Sequence, residues 1–111
     1  MMLYVRRSKT LNNIFSMIGL AMKAGKVLSG EFSVETGIKN SSVLLCIIAS
    51  DASDNTKKKF TNMCAYRQIK MITLGDKTSL GKAIGKEYRA TIGIVDEGFA
   101  NAILSKVGEQ A

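Results

Sequence analysis

The chain has 111 residues, 46% of them hydrophobic and 23% charged, the balance of one globular domain rather than of a disordered chain. Sixteen Lys+Arg stand against nine Asp+Glu, a net charge of +7 and a pI of about 9.6, which suits a polyanion such as RNA, DNA or an anionic surface and is also ordinary for solubility. The longest apolar run, Val43 to Ala49, is too short to span a bilayer, and no apolar stretch with a cleavage site follows the N-terminal arginines, so neither an anchor nor export is expected.

Helix and strand signals alternate along the chain, and no proline, repeat or Gly/Ser tract interrupts them, so an α/β fold is expected. Ser8 is placed to cap a first helix whose apolar face is Leu11, Ile14, Phe15, Ile18, Ala21 and Met22, ending at Gly25. A short extended piece, Val27-Leu28, precedes a second helix capped by Ser29. That helix has Glu31 in its first turn and Glu35 four residues before Lys39, and Gly37 weakens it. Val43 to Ala49 reads as a strand buried on both faces. Ser53 or Asp54 caps a third helix that buries Phe60, Met63 and Cys64. Lys70 to Leu74 is a short strand, and Thr78 or Ser79 opens a brief helix around Leu80, Ala83 and Ile84 that Gly85 ends. Ala90 to Val95 is the last strand, and Asp96 caps a final helix with Phe99, Ile103 and Val107 inward.

Several segments imitate catalytic or cofactor chemistry without meeting its requirements. Gly19 to Lys26 looks like a phosphate loop. However, five residues rather than four separate its glycines, Val27 replaces the metal-binding hydroxyl, and the segment sits at a helix end where a phosphate cradle needs a helix start. Gly81 to Lys86 fails similarly. Cys46 and Cys64 are eighteen apart with no histidine in the chain, so they form no zinc site and lack an activating base. Two unpatterned cysteines in an α/β pattern suit a reducing cytosol. Asp51 follows a strand end, where α/β enzymes often keep a carboxylate, but no second acid or base stands beside it, and shaping the loop is the favoured role. No enzyme, cofactor or small-molecule substrate is therefore expected.

The charge is uneven. Residues 1–26 hold Arg6, Arg7, Lys9, Lys23 and Lys26 and no acid, a charge of +5, whereas the other 85 residues hold eleven bases and nine acids. Lys57-Lys58-Lys59 is most simply a solvated helix face. Two loop-helix junctions carry more chemistry. In Lys26 to Thr36, basic residues lead into a helix N-terminus, whose amides can take a phosphate or a base edge. Gly85-Lys86-Glu87-Tyr88-Arg89 is a glycine-opened turn with two cations and an aromatic ring, the combination that stacks on an unpaired base. Tyr88 could equally flank the next strand.

Together these stretches resemble the ribosomal protein L7Ae/L30e family, most of all its small bacterial YlxQ-type members. The matching segments are Gly19 to Gly30 (GLAMKAGKVLSG), Val43 to Lys59 (VLLCIIASDASDNTKKK), Ser79 to Gly85 (SLGKAIG) and Ile94 to Ala100 (IVDEGFA), within roughly residues 9–107. The resemblance implies one domain, a three-layer α/β/α sandwich with a mixed four-stranded sheet, and recognition of kink-turn or similarly bent RNA in a ribosomal or regulatory setting. Carried over residue by residue, one RNA-binding element is Gly30, Glu31, Phe32, Ser33 and Thr36, and the other is Gly85, Lys86, Glu87, Tyr88 and Arg89. Archaeal members have Asn-Glu near the place of Phe32-Ser33 and a lysine in the place of Thr36, so the residues that read the paired purines are not preserved.

The reading that follows is a non-catalytic RNA binder in which Lys26, Lys39, Lys86 and Arg89 contact phosphates, Gly30 allows close backbone approach, and Phe32 and Tyr88 meet unstacked bases. It requires segments 26–36 and 85–89 to meet and both rings to be exposed. The alternative is a protein-interaction adaptor, since relatives of the fold serve that role and an exposed Phe32 suits a protein interface.

Overall fold

The computed structural model describes the backbone of residues 2–108 and the side chains of residues 11–108. Among the described residues five helices and four strands alternate: α1 (Met2–Lys23), β1 (Val27–Ser29), α2 (Glu31–Lys39), β2 (Leu45–Ile48), α3 (Asp54–Arg67), β3 (Lys70–Thr73), α4 (Lys77–Ala83), β4 (Thr91–Ile94) and α5 (Glu97–Gly108). The sheet order is β1-β4-β2-β3. β4 pairs antiparallel with both β1 and β2, and β2 pairs parallel with β3.

The period of two along a strand divides the core. Leu45 and Ile47 of β2, with Ile92 and Ile94 of β4, face Ile14 and Ile18 of α1, Leu80 of α4 and Ile103 of α5. Cys46 and Ile48 face the other way, onto Val34 and Ile38 of α2 and Phe60 and Cys64 of α3. Central β2 and β4 are buried at every position, while β1 and β3, at the edges, are only partly covered. Each large side chain removed from water contributes roughly 1.5–3 kcal/mol, so covering both faces is what makes a continuous apolar strand favourable. The result is the expected α/β/α sandwich with a mixed four-stranded sheet.

The local punctuation differs from expectation at four points. α1 starts at Met2, so Ser8 is inside the helix, not its cap; residues 2–8 contain no glycine or proline and are free to extend it. The cap of α2 is Gly30, not Ser29, which ends β1. The cap of α4 is Asp76, not Thr78 or Ser79. Its carboxylate accepts from the Ser79 amide, and Ser79 Oγ accepts in return from the Asp76 amide. Leu44, expected to be buried, is exposed just before β2.

Other signals hold. Gly25 closes α1 in a left-handed conformation (φ 74°), with the Lys26 amide donating to Ala21 O and the Gly25 amide to Met22 O. Ser53 Oγ accepts from the Thr56 amide, and Asp96 Oδ2 from the Phe99 amide. The registers Ser29↔Ile92, Ile48↔Thr91 and Ile48↔Thr73 bring the ends of β1, β2 and β3 and the start of β4 to one edge of the sheet. α2, α3 and α4 therefore all begin at that edge.

Candidate nucleic-acid interface

The two junctions singled out in the sequence meet at this edge. The Gly30 amide donates to Thr91 O at 3.1 Å, and Arg89 Nε donates to Ser29 Oγ at 3.3 Å. Gly30 has φ 91° and ψ 151°, a backbone region open essentially to glycine alone, and this turns the chain from β1 directly into α2. No side chain caps α2. The first-turn amides of Glu31, Phe32 and Ser33 thus lack the partners that Ser53 and Asp76 supply to α3 and α4. Phe32 is 82% exposed.

Segment 86–89 runs back along α4, with the Lys86 amide donating to Gly81 O and the Arg89 amide to Lys77 O. Gly85 makes the preceding turn with φ 74°. Arg89 Nη1 also donates to Tyr88 O at 2.6 Å, so the guanidinium is held from two sides. Tyr88 is 58% exposed, and Lys86 and Glu87 are exposed as well.

Two of the expected contact residues lie apart from this cluster. Lys26 is at the opposite end of β1, where its carbonyl accepts from the Val95 amide, roughly 13 Å of extended chain from Gly30. Lys39 is at the far end of α2, roughly 12 Å of helix from Glu31, and its ammonium is 2.9 Å from Glu35. Gly30 and the start of α2 are joined to segment 85–89 at Arg89, which Tyr88 precedes; Gly85 follows the far end of α4, from which residues 86–89 run back toward the sheet edge, and Thr36 is one turn into α2.

The start of α3 joins the cluster, which the sequence reading missed. Thr56 Oγ1 donates to Glu31 Oε1 at 3.2 Å, and Lys59 Nζ is 2.6 Å from Glu35 Oε1. The Lys59 ammonium, followed by that of Lys39, holds the Glu35 carboxyl below the usual glutamate range, and Glu35 raises Lys59 in turn. Lys59 is thus a tie between helices rather than only a solvated cation. Nothing in local spacing distinguishes it from Lys57 and Lys58, because its partner is on another helix.

The remaining candidates are structural. Asp51 Oδ1 accepts from the Lys77 amide at 2.9 Å and ties its loop to the start of α4. Cys46 and Cys64 are buried free thiols, and the hydrogen bond from Cys64 together with burial pushes the Cys46 thiol up, away from the nucleophilic thiolate. Among the described residues no group of three or more His, Cys, Asp or Glu could hold a metal, and no helix is long and apolar enough to cross a membrane.

The three-layer α/β/α sandwich thus presents the uncapped start of α2, the exposed ring of Phe32 and the Arg89 guanidinium at one sheet edge. The chain belongs to the ribosomal protein L7Ae/L30e/S12e/Gadd45 family, whose model matches residues 12–104. It is 41% identical over 91 residues to the RNA-binding protein YlxQ of Bacillus subtilis, covering 82% of this chain and 91% of that one. It is 30% identical over 110 residues to the large ribosomal subunit protein eL30 of Zea mays, covering 95% and 96%. A solved structure of a protein with unknown function from Bacillus halodurans superposes with a TM-score of 0.83 at 38% identity, covering 86% of this chain and 96% of that one. The Giardia lamblia 15.5kD RNA binding protein shares the fold, with a TM-score of 0.75 at 18% identity, over 89% and 86% of the two chains. The ribosomal-protein family and the YlxQ and eL30 relatives are RNA-binding and ribosomal proteins rather than enzymes, in agreement with the non-catalytic expectation.

Proposed function

We propose that this chain is a non-catalytic RNA-binding protein that grips kink-turn or similarly bent RNA at the sheet edge, in a ribosome-associated, cytoplasmic setting. The observation that carries the reading is the joining of the uncapped α2 start to segment 85–89 through Arg89 and Ser29. Unpartnered amides suit a phosphate or a base edge, Lys86 and Arg89 suit phosphates, and the exposed rings of Phe32 and Tyr88 suit unstacked bases. The names of the YlxQ and eL30 relatives support RNA as the partner.

Binding to a kink-turn RNA and to a straight duplex of the same composition tests the specificity. Preference for the bent RNA is expected, with Phe32→Ala and Tyr88→Ala each weakening it by about 1–3 kcal/mol, the scale of base–aromatic stacking. Equal binding to both RNAs removes the bent-RNA part of the proposal, and no binding to either removes the whole.

The exposure of Phe32, at the place where archaeal relatives carry a polar pair, favours a second reading, a protein adaptor using the same edge. A partner that stays bound through ribonuclease treatment, and is lost in Phe32→Ala, identifies that role.

A further inference from the structure

The two glycine–lysine segments that imitate phosphate loops face one another where α1 crosses α4. A Cβ on Gly19 would stand 3.1 Å from Ala83 O, so α1 and α4 lie close together at this point. An open groove of about 660 Å³ runs along the contact. Phe15, Leu20 and Ala83 give it an apolar lining among Asn12, Ser16 and Ser79, and Leu20 is 57% exposed. Lys23 and Lys82, both exposed, also line it. Among the described residues no carboxylate lines it, and neither lysine has an ion-pair partner.

The combination selects among occupants. Phosphate contacts need cations but gain nothing from Leu20, and the Phe15 ring is partly buried in the core with its edge against Gly75 rather than free as a stacking face, so a polynucleotide would leave the apolar lining unused. An acidic amphipathic protein segment uses both: aliphatic side chains cover the apolar lining while Asp or Glu meets the two ammonium groups. We propose that the α1/α4 groove is a docking site for an acidic amphipathic segment of a partner protein. The site is separate from the proposed RNA surface, because segment 86–89 packs on a different side of α4, over Gly81. RNA and partner can therefore be held together.

Selection from a random library of displayed peptides of about 12 residues, counter-selected on the Lys23→Glu/Lys82→Glu variant, tests this. Enriched peptides are expected to carry Asp or Glu beside Leu, Ile or Phe at helical spacing. A synthetic copy should bind at least about tenfold more weakly to the double variant and to Leu20→Ser, as expected when interface anchors are removed. All three residues are exposed, so the variants should keep the wild-type circular dichroism and melting temperature. Amide shifts on peptide addition should centre on Leu20 and Lys82. No enrichment, peptides without acids, unchanged affinity in the variants, or shifts elsewhere overturn the proposal. So does a loss of RNA binding in Lys23→Glu/Lys82→Glu without any peptide bound, which reassigns the lysines to polynucleotide.

Discussion

Arg89 Nε and Ser29 Oγ lie 3.3 Å apart, although 60 residues of sequence separate them. One side chain thereby fastens the loop before β4 to the strand that leads into α2, and the proposed RNA surface depends on that join. If Lys86 and Arg89 touch phosphate, each should release counterions. The slope of log affinity against log salt should then fall by about 0.7–0.9 for each residue changed to alanine. Filter binding or anisotropy at several salt concentrations measures this, and an unaltered slope in Lys86→Ala/Arg89→Ala removes the loop from the interface.

Gly30 offers a test of the backbone. Its φ of 91° with ψ of 151° is strained for any residue with a Cβ, although open space surrounds the position where that atom would lie. Gly30→Ala is expected to cost about 1–3 kcal/mol in urea unfolding from strain alone, and to weaken RNA binding by moving the start of α2. A variant as stable as the parent would mean that the turn relaxes without strain.

Gly37 fails for the opposite reason. It is helical, but a Cβ there would lie 2.5 Å from Leu28 Cδ1 and 2.7 Å from Val43 Cγ2. Alanine normally strengthens a helix, so propensity and packing oppose each other at this site. Overpacking costs typically about 1–3 kcal/mol against a gain of at most about 1, so Gly37→Ala should lower the melting temperature. A higher melting temperature would show that α2 can shift away from β1 at little cost.

The ion pairs of Glu35 give a pH dependence of definite sign. Lys59 first, then Lys39, lowers the folded-state pKa of this carboxyl below the ordinary 4.5. Its contribution is therefore complete above about pH 4.5 and is lost as pH falls through the folded value. Water screens the group, so the effect is small. Denaturation midpoints between pH 6 and pH 3 should fall less steeply in Glu35→Gln than in the parent. Parallel curves would show that the two lysines do not stabilise the fold through Glu35.

Much of the molecule was legible in the chain because the relevant physics is local. The spacing of Ile14, Ile18 and Ala21 marks a helix face, and the apolar run at Leu45 to Ile48 marks a strand covered on both sides. Gly25, Ser53 and Asp96 punctuate helices through bonds that span only a few residues. The α2 cap was misplaced by one residue because Ser29 has the side chain of a cap, while Gly30 has the backbone that the turn requires.

Residue types and their spacing were enough to determine the layered α/β architecture and to mark the turns at Gly30 and Gly85, because helical and strand periodicities and turn chemistry act over a few residues. The tertiary structure alone decided which candidates share a surface. It brought Ser29 to Arg89 and Glu31 to Thr56, left Lys26 and Lys39 at distant ends of their elements, and set Lys23 across from Lys82. Strand order and register fix those distances, and they arise from pairing between segments tens of residues apart, which no local pattern encodes.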